Sequence, residues 1–95
     1  MSFTRLEWNE AKNLRLKEER GLSFEDVENA IELGKVLDDL PHPNPLKYPN
    51  QRVLIVEINE IACVVPYVMD GDVQFLKTIY PSRKAAKALA KKDLQ

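Results

Sequence analysis

Apolar positions change period twice along the chain. They recur at helical spacing up to Leu33, alternate or run together as strands do from Lys35 to Tyr80, and return to helical spacing after Ser82. In the first region Asn9 is placed to cap a helix over Glu10–Arg20, and Gly21 to end it. The apolar positions of that helix, Ala11, Leu14 and Leu16, make one narrow stripe. Ser23 is placed to cap a second helix over 24–33, with Asp26 three residues on in capping-box position. Phe24, Val27, Ala30 and Ile31 form its apolar face, and Gly34 supplies the stop.

The middle of the chain predicts four strands. A short one covers 35–40, and Pro41, Pro43, Pro45 and Pro49 then mark an irregular loop, because proline lacks an amide donor. The nearly continuous apolar run 52–58 reads as an interior strand. Asn59-Glu60 turns it into a strand over 61–69, and Asp70-Gly71 turns that into a last strand over 73–80. Pro66 fits the third strand only at a bulge or a non-bonding position. A third helix is expected over 82–92, capped by Ser82. The expected fold is α+β, in the order ααββββα: a small four-stranded antiparallel sheet with two N-terminal helices and one C-terminal helix, in one domain over residues 1–95.

Charge divides this pattern unevenly. Residues 73–95 hold six Lys/Arg against Asp93, whereas residues 1–72 hold eight Lys/Arg against fourteen Asp/Glu. A chain with a net charge of −1 therefore has an acidic body and a basic end, which points to a polyanionic partner at that end. No apolar run approaches the roughly 20 residues of a membrane span, and no signal peptide is visible. The single cysteine, Cys63, lies in an apolar run and is expected in the core; a disulfide within the chain is excluded, which fits a cytoplasmic protein. One His and one Cys make no zinc site of the usual kind, so no metal and no cofactor are expected. A metabolic enzyme finds little support: there is no glycine-rich phosphate loop and no nucleophile motif.

Several segments resemble the BrnT-type toxins. Glu7-Trp8-Asn9-Glu10-Ala11-Lys12-Asn13 resembles their opening, and Gly21-Leu22-Ser23-Phe24-Glu25 the segment after their first helix. Arg52-Val53-Leu54-Ile55-Val56-Glu57 is similar to their central strand, and Lys77-Thr78-Ile79-Tyr80-Pro81-Ser82-Arg83-Lys84-Ala85 to their strand-to-helix signature. The similarity runs from about Trp8 to Lys87. It implies a RelE-like fold, RNA cleavage that inhibits growth, and a small antitoxin partner with a ribbon-helix-helix domain. Whether the toxin forms a homodimer within that complex is left open. Many relatives carry a Lys-His pair before the glycine that ends the first helix. Here the stretch is Lys17-Glu18-Glu19-Arg20-Gly21, without His, so the general base is left open.

Metal-free RNA cleavage needs a proton acceptor for the 2′-hydroxyl, cations for the phosphate and a donor for the leaving oxygen. Arg83, at the start of the last helix, is the first candidate for the phosphate; the alternative is a solvated surface arginine. Arg52 opens the second strand and either faces the same groove or forms a rim salt bridge. Lys77 is expected on a strand face with Val73, Phe75 and Ile79, as a desolvated proton carrier or as a cation snorkelling to the sheet edge. Tyr80 either stacks on a base or fills the core. Lys84 and Lys87, on a basic helical stripe, and Lys12 and Lys47 are the RNA-binding candidates. His42, in a proline-rich turn, reads as a bystander, and Glu57 as an alternative base or a structural partner. Trp8, Phe24 and Phe75 are assigned to the core. The expected function is a metal-independent endoribonuclease acting as the toxin of a type II toxin–antitoxin pair; the alternative is a non-catalytic module of the same fold that only binds the antitoxin and helps to repress its operon.

Overall fold

The structure, a computed structural model, describes residues 5–83. The expected helix over 82–92, apart from its first two residues, and with it Lys84 and Lys87, lies outside the described residues. In chain order the elements are β1 (Arg5–Trp8), α1 (Glu10–Arg20), α2 (Phe24–Glu32), β2 (Val36–Pro41), β3 (Gln51–Ile58), β4 (Ile61–Asp70), β5 (Val73–Leu76) and β6 (Tyr80–Pro81).

The helices form where local signals place them. The Asn9 side chain accepts from Lys12 N at 3.0 Å, and Gly21 closes α1 in the left-handed conformation, φ 65°, donating to Lys17 O. Ser23 and Asp26 complete a reciprocal capping box on α2. The two helices are registered by Asn13, which is fully buried. Its amide donates to both oxygens of Glu25, at 2.7 and 3.1 Å, while its carbonyl accepts from Phe24 N at 2.8 Å. Phe24, Val27 and Ala30 of α2 and Leu16 of α1 then press on Leu54, Val56 and Ile58 of β3 and on Cys63, Val65 and Tyr67 of β4. Full burial of a side chain such as Phe24 or Leu76 contributes roughly 1.5–3 kcal/mol.

The sheet departs from expectation. Among the described residues the fold is α+β with two helices and a mixed sheet of six strands, rather than a four-stranded antiparallel sheet. The order is β1-β5-β4-β3-β2, with β6 also paired to β4. Brevity accounts for the first difference: Arg5-Leu6-Glu7-Trp8 alternates too briefly to announce a strand, and β1 exists through parallel pairing with the distant β5. Pro66 accounts for the second. It stays in register with Val53 of β3, but its carbonyl accepts from Lys77 N at 2.8 Å on the other side, where a strand would need the amide it lacks. The expected last strand therefore breaks into β5, paired at Tyr67↔Leu76, and β6, paired at Val64↔Tyr80.

Between these pairs three residues, Lys77-Thr78-Ile79, face two, Val65-Pro66, so one residue is in excess and a bulge results. Strict alternation would send Leu76 and Ile79 to opposite faces; the bulge lets both enter the core, at 1% and 0% exposure. Arg20 clamps the segment from the end of α1, its Nη1 donating to Ile79 O at 2.6 Å.

The hairpins follow their turn residues. Asn59 and Glu60 both have positive φ, 52° and 66°, as a two-residue hairpin loop of this kind requires. The second loop is Gly71-Asp72, one residue later than Asp70-Gly71, because Asp70 still pairs with Val73. No helix among the described residues is long and apolar enough to cross a membrane.

Candidate functional site

The site candidates fall in three separate places. The first is an open groove of about 570 Å³ between the start of α1 and the end of β5, lined by Asn9, Ala11, Lys12, Arg15, Phe75 and Lys77. Among the described residues it holds three cationic side chains and no carboxylate. Lys12 and Arg15 share a helix face because they are three residues apart. Lys77 joins them from the bulge, where it is exposed, and its ammonium stands 5.2 Å from the Phe75 ring centroid. Lys77 therefore does not share a buried face with Ile79, and Phe75 is a wall of this groove rather than a member of the core.

Arg52 lies elsewhere, in a cluster with Asp39 and Tyr67. The Tyr67 hydroxyl donates to Asp39 Oδ1 at 2.7 Å, and Arg52 Nε donates to the same oxygen at 3.1 Å and to Tyr67 Oη at 3.2 Å. Burial, and then the hydrogen bond to Asp39, push the Tyr67 hydroxyl up to about 12. Hydrogen bonds to Tyr67 and Asp39 hold the Arg52 guanidinium still more firmly protonated than usual. The rim-salt-bridge reading of Arg52 is the one observed. Its guanidinium has a further duty: Nη2 donates to Asp39 O at 3.2 Å on the edge strand β2.

Arg83 lies in a third place, a hollow shared with Glu60, Ile61, Ala62, Pro81 and Ser82 beside the β3–β4 turn. Its neighbour Ala62 and the Arg52 partner Tyr67 are five residues apart on β4, about 17 Å by strand rise alone. Arg52 and Arg83 thus do not meet in one pocket. Tyr80 sits on β6, 42% exposed, rather than filling the core. Lys47 belongs to the proline-rich loop, 5.4 Å from the Tyr48 ring. In the same loop the His42 ring packs 4.5 Å from Tyr48 and accepts from Asn44 N through Nδ1, a structural clip.

No protein-family model, curated protein or solved structure matches this chain. The residues alone must carry the chemistry. Cys63 is no nucleophile candidate, since it is fully buried and burial pushes its thiol up. Glu57 pairs with Lys35 at 3.8 Å. Among the described residues no three His, Cys, Asp or Glu side chains group to hold a metal. What the groove can do is hold phosphate oxygens: three cations, the amide end of an 11-residue helix and one aromatic wall converge there. Lys12 and Lys77 stand among the sequence candidates; Arg15 does not, because on α1 it reads as an ordinary exposed residue until β5 is seen beside it.

Proposed function

We propose that the protein binds RNA in the α1–β5 groove and cleaves it without metal, as the toxin of a type II toxin–antitoxin pair held in check by a small antitoxin. The observation that carries the reading is the gathering of Lys12, Arg15 and Lys77 around one open groove that no carboxylate among the described residues lines, on a chain whose net charge is −1. Cations placed there neutralise a phosphate backbone and stabilise charge that develops on a phosphate during transesterification. Exposed Lys77 is the cation nearest an aromatic wall able to stack on a base. Arg83, beside the β3–β4 turn, and exposed Tyr80 on β6 lie outside the groove in this reading.

A second reading has a specific observation behind it. Among the described residues the groove lining contains no His, carboxylate or Tyr to take a proton from the 2′-hydroxyl, which favours a non-catalytic module that binds RNA or antitoxin through the same cations. One experiment separates the two. Purified antitoxin-free protein is incubated with RNA and a chelator, comparing wild type, Lys77→Ala and Arg83→Ala, and growth is followed on expression. The nuclease reading expects cleavage and growth arrest, both lost in Lys77→Ala and retained in Arg83→Ala. RNA retention without cleavage supports the module, and absence of RNA binding defeats the nuclease reading.

A further inference from the structure

The two flanks of the sheet are finished differently. On β2 several outward-facing groups are closed off: Asp39 N–H donates to the Asp38 side chain at 2.9 Å, Asp39 O accepts from Arg52, and Pro41 has no N–H to offer. A register shift between Val36 and Asp38 kinks the same edge. These are devices by which an edge avoids further strand pairing. On β1 they are absent. Arg5 N–H donates to Asp72 O at 2.9 Å, so the backbone groups of Arg5 and Glu7 face β5. By alternation those of Leu6 and Trp8 point away from the sheet, where no described residue pairs with them.

We propose that β1 is a self-association edge, through which two copies of this chain join by antiparallel β1–β1 pairing centred on Leu6. Leu6 then exchanges both backbone hydrogen bonds with its symmetry mate, as a two-fold interface requires. The side chains choose this partner. Arg5 and Glu7 stand on the face away from the helices, exposed and 3.2 Å apart. Read in the reverse direction, Arg-Leu-Glu presents Glu-Leu-Arg, so each Arg5 meets a Glu7 across the interface, twice over. Those positions are the non-hydrogen-bonded ones, where opposed side chains come closest and opposite charges help. Charged residues on an edge deter strands of arbitrary sequence, but this alternation is its own complement. On the other face the two Leu6 side chains meet beside Trp8, extending an apolar surface that already packs on the core. A contact of four residues per copy buries less than about 1,000 Å², so the association is weak and concentration-dependent.

Sedimentation of the whole chain from micromolar to millimolar concentration tests this. Wild type is expected to shift from monomer toward dimer. Arg5→Glu and Glu7→Arg each bring like charges together and hold the protein monomeric, whereas the double exchange R5E/E7R restores association. Leu6→Pro removes an N–H that points away from β5, so it abolishes association while far-UV circular dichroism stays native-like, with only a modest fall in melting temperature from the lost Leu6 packing on the core. A wild type that remains monomeric throughout overturns the proposal. So does a dimer indifferent to Leu6→Pro, or one that the double exchange fails to restore, including association through another edge or face.

Discussion

Asn13 carries the contact between the helices in a single amide. Replacing it with Ala leaves Phe24 N–H without its acceptor and Glu25 without its closest donor. The expected cost is about 1–3 kcal/mol, read as a lower urea midpoint. Its pH dependence has a defined sign. The Asn13 hydrogen bond, helped by Glu25's own backbone amide and then by Lys17, holds the Glu25 carboxyl below its ordinary range against the opposing effect of burial. A depressed carboxylate adds stability above its unfolded pKa and loses it as pH falls through the folded one. The gap between wild type and Asn13→Ala should therefore narrow on acidification. Tyr67 behaves oppositely at the other end of the scale. Its folded hydroxyl, near 12, is raised above the usual 10, so its contribution is complete below pH 10 and fades as pH rises toward 12. Tyr67→Phe should cost about 1 kcal/mol at neutral pH and flatten the alkaline limb of the stability profile.

At the level of elements, the joint between β5 and β6 is held by two bonds of distant origin, Lys77 N–H to Pro66 and Arg20 to Ile79 O. Arg20→Ala removes a charged donor from a partly buried carbonyl. It should cost about 1.5–3 kcal/mol and speed amide exchange around residues 77–79 beyond that of β3. Elements whose causes are local were legible in the chain: α1 begins and ends where Asn9 and Gly21 place it, and the Asn59-Glu60 turn falls where expected. Pro66 announced a defect in the sheet, but its form depends on which strand lies opposite. β1 gave no usable signal, since four alternating residues are also what a loop contains by chance. The Asp39–Arg52–Tyr67 cluster draws on three strands, and no periodicity within one strand encodes that meeting.

For the molecule as a whole, charge is sorted more finely than a basic tail on an acidic body. Lys12 and Arg15 come from the acidic part of the sequence, yet share the groove with Lys77. Two of these three were readable as cations near a strand or helix end, and their convergence was not, because it depends on β5 reaching α1. If the groove takes a single strand with three phosphate contacts, the logarithm of affinity should fall with the logarithm of salt at a slope of about −2. Each of Lys12→Ala, Arg15→Ala and Lys77→Ala should reduce that slope by about 0.7, while Lys47→Ala leaves it unchanged. Filter binding with a short RNA at several ionic strengths measures it.

The supernumerary position in the 77–79 segment separates two demands on the chain. Were Thr78 deleted, ordinary pleating would still turn Leu76 and Ile79 inward, with Lys77 abreast of Pro66 in an unbroken strand. Packing is thus indifferent to that codon, and what it alters is the reach of one amine beyond the sheet. A shortened chain should melt much like the parent while handling polyanions differently.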